Sequence, residues 1–354
     1  MTERLKKIRE LLEQKNVDAV IITNPVNRRY LSGFDGTDGV LLISHDKAYL
    51  VTDFRYIDQA AAQAPLFTIQ RWKDDLYKSL ALLIEDAGWI RLGFESKHVV
   101  YSVYGEMSEK LSIELIPLDQ TAEKQRIIKS DAELDILRRG AKVTDRAFEY
   151  LLSLIKPGMS EKELALGLEI YLLQHGAEKA SFCFIVASGK RGAMPHGTAS
   201  EKTMSEGEFV TIDFGAIFEG YATDMTRTVA LGSIDKRGRE IYGIVYKAQE
   251  QSAAAVKAGM QCSEVDAVAR DIISEAGYGN YFGHGLGHGV GLETHEQPVL
   301  NSRSETILEP GMVATVEPGI YLPDWGGVRI EDMVCVTDNG PELLTKSPRE
   351  LIII

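Results

Sequence analysis

Apolar positions along the chain fall into two periods. Leu5, Ile8, Leu11 and Leu12 recur at helical spacing, so the first element is an amphipathic helix. "VDAVIIT" is a continuous apolar run of strand length, ended by Asn24-Pro25, as a buried strand would be. "GVLLIS" and "AYLVTD" flank the polar turn His45-Asp46-Lys47 and predict two neighbouring strands. "LYKSLALLIEDAG" predicts a helix closed by Gly88, and "IRLGFE" and "IELIPLD" complete a strand-rich set. After a break near Thr121–Ser130, Leu134, Leu137, Ala141 and Phe148 give a long helix its apolar stripe, with Ser130 or Asp131 as N-cap and Pro157-Gly158 as its stop. A second helix opens at Ser160, where S-E-K-E fits a capping box. Paired β segments follow, then a helix from about Arg239 to Ala258 and another with Val265, Val268 and Ile272 on one side. From Met312 onward the pattern is again mostly β, and the terminal "LIII" is expected to end in a strand or pack on the core. The mixture predicts an α/β (α+β) protein.

At 354 residues the chain exceeds what one hydrophobic core commonly organises, and two domains are expected, 1–123 and 124–354. Acidic residues outnumber basic ones, 52 to 39, for a formal net charge of −13, which argues against nucleic acid or an anionic membrane surface as the main partner. No apolar run reaches the ~20 residues that span a bilayer. The charged first helix lacks the continuous apolar core of a secretion signal. Cys183, Cys262 and Cys335 form no CxxC pair, which gives no thiolate zinc site and suits a reducing compartment. A cytoplasmic location is expected.

Candidate chemistry lies where carboxylates interrupt strand patterns. In "VTIDFGAIFEGYATDMTRT", Asp213 and Asp224 sit among β-formers on either side of a turn at Phe218-Glu219-Gly220. A loop at Phe218-Glu219 puts Asp213 opposite Asp224. A loop at Glu219-Gly220 puts it opposite Thr226, one diagonal step from Asp224. Either register leaves both aspartates on one face. Two close, unpaired carboxylates repel, so a cation between them is expected, the bland alternative being an exposed face with two solvated acids. "ATVEPGIYLPDWGGVRIEDMV" reads as a second hairpin turning at Pro323–Gly327, with Glu317 and Glu331 symmetrical about Asp324 and able to share a face. Pro318 holds Glu317 extended. Arg329, on the same strand face as Glu331, can orient one of the carboxylates, unless it forms only a surface salt bridge with Glu331.

The third element is "FGHGLGHGVGLETHE", with glycine at 283, 285, 287, 289 and 291. Each interior glycine costs a helix ~1 kcal/mol, so an extended chain is expected. His284, Leu286, His288, Val290 and Leu292 then share one face, and the glycines leave room for another backbone or a substrate. His295 follows on the loop. Three histidines within twelve positions, of seven in the chain, point to ligand or proton-transfer roles rather than to core packing. "SGKRGAMPHGTAS" adds His196 on a loop containing Gly and Pro, where function tends to sit. Two Asp, two Glu and one or more His make a donor set suited to two divalent ions such as manganese, cobalt or zinc. Bridging carboxylates would hold such a pair ~3.5–4 Å apart, with a shared water acidified into a hydroxide nucleophile.

In order and spacing, "DFGAIFEGYATDMTRT", "HGLGHGVGLETHE", "TVEPGIY" and "GVRIED" resemble the pita-bread metallopeptidases: Xaa-Pro dipeptidase (prolidase), aminopeptidase P and methionine aminopeptidase. "NRRYLSGFDGTDGVLLIS" and "LVTDFRY" are similar to the N-terminal domain of prolidases and aminopeptidases P, a domain that methionine aminopeptidases lack. The resemblance implies a small creatinase-like α/β domain followed by a pita-bread catalytic domain. It implies that Asp213 binds one ion, that Asp224 and Glu331 bridge both, and that His288 and Glu317 complete the other. His196, His284 and His295 would line the pocket, binding substrate and steadying the tetrahedral intermediate, and Arg329 would support the ligands. Two divalent ions per subunit are implied, manganese ahead of cobalt or zinc, together with a homodimer or higher oligomer whose N-terminal domains help close a neighbour's active site. The implied activity is hydrolysis of the Xaa-Pro bond at a free N-terminus by a metal-bridging hydroxide. Xaa-Pro dipeptides (prolidase) are expected ahead of longer peptides (aminopeptidase P). Some compact prolidases carry an arginine just after the proline that follows the last histidine; here that place is Val299, and the nearest arginine is Arg303. A creatinase-like hydrolase or a non-catalytic binding protein on the same fold stands further off, because all five acidic and histidine ligand positions are kept.

Overall fold

In the computed structural model, which describes residues 2–354, short polar side chains set many of the helix ends. Asn24 accepts from the N–H groups of Val26 and Asn27 and starts a helix at Pro25–Ser32, and Asp75 does the same for Leu76–Ala87, which closes at Gly88 with φ +68°. The chain divides into two compact units, one ending at Arg126 and one beginning at Ile127. The first is built on a six-stranded mixed sheet. Its spatial order is Thr68–Arg71, Ala48–Thr52, Val40–Ser44, Ala19–Ile22, Arg91–Glu95, Glu114–Leu118. Val40–Ser44 pairs antiparallel with both neighbours, and the remaining pairs are parallel. Ile21, Leu42 and Leu92 from the sheet meet Leu80 and Ile84 from the helix in one apolar cluster. The strand at Thr68–Arg71 escapes the polarity pattern because it is an edge strand with no fully buried residue.

The second unit opens with helix α1 (Asp131–Leu154), whose N-cap Ser130 donates its N–H and Oγ to Glu133, and α2 (Glu161–Gln174), where Ser160 and Glu163 form the expected capping box. Strands β1 (Ile185–Ser188), β2 (Glu208–Phe214), β3 (Ala216–Phe218), β4 (Tyr221–Ala222) and β5 (Met225–Leu231) follow. Helices α3 (Lys236–Ala255) and α4 (Cys262–Glu275) come next. The chain continues through β6 (Gly287–Gly289), β7 (Glu296–Leu300), β8 (Val313–Val316), β9 (Gly319–Leu322), β10 (Gly326–Arg329), β11 (Asp332–Thr337) and β12 (Gly340–Leu343). Strands β5-β2-β1 form one sheet, β7-β6-β8-β11-β12 another, and β9-β10 a ribbon. Phe148 and Leu151 of α1 and Leu168 of α2 pack on Val210, Ile212 and Val229, while α3 and α4 cover Ala314, Val316, Ile320 and Val328. The terminal residues do end along a strand: Ala230 N–H reaches Ile352 O and Ile354 N–H reaches Ala230 O, both at 2.9 Å.

Two helix readings need correction. Helix α3 starts three residues earlier than Arg239 and ends at Ala255, because Asp235 caps it through Gly238 N–H at 2.7 Å. The buried face of α4 runs through Cys262, Val265, Asp266, Ala269 and Ile273, so Val268 and Ile272 lie beside it. A polar residue at a core position hid that stripe. Asp266 is fully buried because Arg270, one turn on, pairs with it at 2.8 Å and Leu286 N–H donates to it at 3.0 Å.

Candidate active site

The β2–β5 hairpin closes through the two-residue loop Glu219-Gly220, with φ +48° and +82°. Positive φ at both positions is the geometry whose twist matches the flanking strands, and it demands glycine at one of them. A loop at Phe218-Glu219 would place that conformation on phenylalanine. The register therefore pairs Asp213 with Thr226, the second of the two alternatives, and leaves Asp224 one diagonal step away. At Gly215 a Cβ would lie 1.8 Å from Thr223 O, so only glycine lets the strands close there.

In the second hairpin Val316 pairs with Asp332 and Gly319 with Arg329, a single register that sets Glu317 across from Glu331. Strand β6 runs between β7 and β8 and needs its glycines for that closeness. A Cβ at Gly287 would fall 1.9 Å from Thr315 O, and one at Gly289 2.1 Å from Gln297 O. The expected single face of this segment does not form. Leu286 and Val290 are fully buried in two different apolar clusters, while His284 and His288 turn to the cavity. The strand is three residues long and its register shifts between His288 and Gly289, so alternation is not sustained.

These elements enclose a cavity of about 790 Å³. Asp213, Asp224, His288, Glu317 and Glu331 all line it, as do His196, His284, His295 and Arg329. One ligand atom each from Asp224, His288 and Glu331 lies within 4.8 Å of the others. His288 Nε2 is 3.5 Å from Glu317 Oε1 and 3.7 Å from Asp224 Oδ2. Its Nδ1 sits 3.1 Å from Gly289 O, so Nδ1–H donates there and Nε2 presents a lone pair to the carboxylates. Thr315 Oγ1 donates to Glu317 at 3.2 Å and Thr226 Oγ1 to Glu331 at 2.6 Å.

Arg329 is buried and orients Asp213 rather than Glu331. Its Nη2 meets Asp213 Oδ2 at 2.7 Å, its Nη1 meets Tyr321 OH at 3.1 Å and its Nε meets Thr226 Oγ1 at 3.1 Å. The surface salt bridge with Glu331 is not what forms. Asp213 Oδ1 is buried and has no hydrogen-bond partner among the described residues. Tyr321 OH in turn lies 2.9 Å from His284 Nε2, and His284 Nδ1 lies 2.7 Å from Gly285 O. With Nδ1–H donated to that carbonyl, His284 Nε2 accepts from the tyrosine.

Burial pushes the Asp224 and Glu331 carboxyls well above the usual range, and crowding by the neighbouring carboxylates adds to it. Burial raises Glu317 to about 7 despite nearby Arg329. The imidazoles move the other way: burial lowers His284 to about 4 and also lowers His288 and His295. Acids driven toward neutrality beside imidazoles whose charged form burial disfavours form a site short of positive charge. An unpartnered buried carboxylate oxygen, four carboxylates and one imidazole lone pair fit divalent cations as donors.

Tyr321, Thr226 and Thr315 were not singled out from the sequence. A signal existed: each stands two or four positions from Glu317 or Asp224, on the same strand face by the period of two. Arg303, the arginine nearest Val299 in the sequence, lies away from the site. It is exposed and absent from the cavity wall, which Val299 and Asn301 line instead.

The buried, carboxylate-rich lining of this cavity is a donor set of the kind metallohydrolases use. Residues 135–338 match metallopeptidase family M24, and residues 4–128 match the creatinase/prolidase N-terminal domain. The chain belongs to metallopeptidase family M24 and has its pita-bread catalytic fold. It is 41% identical over 357 residues to the Xaa-Pro dipeptidase of Pyrococcus horikoshii, an alignment covering 99% of each chain. Among solved structures, the Xaa-Pro dipeptidase from Bacillus anthracis superposes with a TM-score of 0.98 at 47% identity, covering 100% of this chain and 99% of the other. The X-Pro aminopeptidase from Thermotoga maritima gives 0.91 at 37% identity, covering 96% and 98%.

Proposed function

We propose that this enzyme hydrolyses the Xaa-Pro bond at a free N-terminus, with Xaa-Pro dipeptides as its substrates. The observation that carries the reading is the orphaned Asp213 Oδ1 beside three carboxyls that burial and mutual repulsion drive toward neutrality. Asp213, Asp224, His288, Glu317 and Glu331 would hold two divalent cations, and the predominance of hard oxygen donors favours manganese over zinc or cobalt. When bound, such ions supply Lewis acidity to a peptide carbonyl, an anchor for a free amino group and a water acidic enough to ionise near neutral pH.

The remaining work falls to the chain's own side chains. Arg329 keeps Asp213 aimed, and Thr226 and Thr315 fix the rotamers of Glu331 and Glu317. Tyr321 holds His284 in one tautomer at the cavity wall. His196 and His295 line the same cavity and would donate to a developing oxyanion and carry a proton to the departing proline nitrogen. An Xaa-Pro bond is a tertiary amide without N–H, so a site that grips the amino terminus and the carbonyl loses nothing on it. The resemblance to prolidases further supports a homodimer, and three free thiols fit a reducing cytoplasm.

Cleavage of longer peptides, the aminopeptidase P reading, is favoured by one feature. Arg329 is the sole lysine or arginine lining the cavity among the described residues, and Asp213, Tyr321 and Pro195 O already engage it. Among the described residues no other lysine or arginine lines the wall to take a dipeptide's carboxylate. Hydrolysis of Ala-Pro but not Ala-Ala, abolished by chelation and restored by manganese, is the expected result. Equal cleavage of Ala-Ala would remove the proline specificity.

A further inference from the structure

Glu161 opens α2, is fully buried and lines no part of the cavity. Its carboxylate gathers donors from both ends of one segment. Oε1 accepts from Ser188 N–H and Ser188 Oγ, each at 2.8 Å, and Oε2 from Ser200 N–H at 3.1 Å and Ser200 Oγ at 2.6 Å. Arg191 Nη1 joins Oε2, and its Nη2 reaches Thr198 O at 2.7 Å. Position at the start of a helix also favours the negative charge. Between Ser188 and Ser200 lie the tight turn Gly189–Ala193 and then His196.

The middle of this segment is held as well. A Cβ at Gly327 would fall 2.0 Å from Gly192 O, so backbone meets backbone there, and Arg329 Nη1 donates to Pro195 O at 3.2 Å. The His196 ring itself makes no hydrogen bond among the described residues, so the backbone that carries it sets its place at the cavity. Loops are ordinarily the mobile parts of a fold, and a buried carboxylate with five donors is an expensive way to connect a surface turn unless that turn must be fixed.

We propose that Glu161 is a positioning residue for His196: its buried carboxylate clasps both ends of segment 188–200 and thereby holds the imidazole at the cavity wall. The role in hydrolysis rests on the peptidase reading of that cavity; the clasp does not. The test uses the full-length, metal-loaded protein as Glu161→Gln, His196→Ala and the double variant, with Ser200→Ala as the milder change should Glu161→Gln fail to fold. In Glu161→Gln, amide exchange is expected to rise in 189–199 and not in α1, and the His196 ring resonance, read with diamagnetic zinc in place of manganese, to broaden. Metal content should be unchanged. Turnover efficiency on the Xaa-Pro substrate should fall about tenfold in each single variant and no more than about twofold further in the double, since side chains acting through one another are not additive. Unchanged exchange, an unchanged His196 resonance, or losses that multiply in the double variant would overturn the proposal. A wild-type protein inactive on every Xaa-Pro peptide would instead sink the functional reading, and the exchange and resonance measurements would still decide the clasp.

Discussion

Asp213 shows how far a single side chain is governed by charges it does not carry. One oxygen is taken by Arg329 and the other is buried without a partner, an arrangement that a metal-free fold tolerates only at a cost in desolvation. Replacing Asp224 by Asn or Glu331 by Gln keeps the shape and removes one of the negative charges proposed to hold the cations; activity should vanish and metal content, read by mass spectrometry, should drop. A variant with full activity and full metal would refute the dinuclear ligand set. His295→Ala should instead lower turnover with both ions retained, and metal loss would show that the imidazole is a ligand. The raised carboxyls also tie metal binding to protons. With Glu317 at about 7, that carboxyl is largely protonated near pH 6 in the metal-free protein. Loading at ~pH 6 should therefore release protons from acids, and affinity should weaken as the pH falls through 7. Calorimetric titration in buffers of different ionisation enthalpy measures the release; heats independent of buffer would contradict it. At this scale the charged residues were legible because carboxylates inside strand patterns demand an explanation. Tyr321 and Thr226 were not, since a hydroxyl among β-formers looks like ordinary strand composition until its partners are seen.

The elements explain why those residues meet. Sequence left two hairpin registers open, and backbone sterics chose between them by putting positive φ on Glu219-Gly220 instead of on Phe218. The glycine alternation around His288 correctly excluded a helix and anticipated a close backbone. It misjudged the face, because a three-residue strand with a register shift does not sustain a period of two. Gly287→Ala tests the close approach directly. With Thr315 O at 1.9 Å from the added Cβ, β6 and β8 must separate, at a cost of at least ~2 kcal/mol in denaturant unfolding. An unchanged midpoint would mean that the strands are not held at that distance. The α4 stripe failed for a different reason: Asp266 occupies a core position only because Arg270 pairs with it, and pairing across a helix turn is invisible to a polarity pattern.

For the molecule as a whole, length is the ground for expecting two domains, and by compactness the chain divides between Arg126 and Ile127. Motif order, rather than composition, carried the functional reading, since a balance of 52 acidic to 39 basic residues excludes partners without naming one. What remains between dipeptide and longer peptide turns on a cavity wall where Val299 stands and, among the described residues, no second guanidinium does. The most direct measurement is a side-by-side assay of the manganese-loaded protein on Ala-Pro and on Ala-Pro-Xaa, each with a chelated control. Alanine release from Ala-Pro that disappears on chelation is the expected result. Faster cleavage of the longer peptide would move the assignment to aminopeptidase P, in keeping with the missing carboxylate clamp. Release that survives chelation, or none from either peptide with metal present, would contradict metal-dependent Xaa-Pro hydrolysis itself.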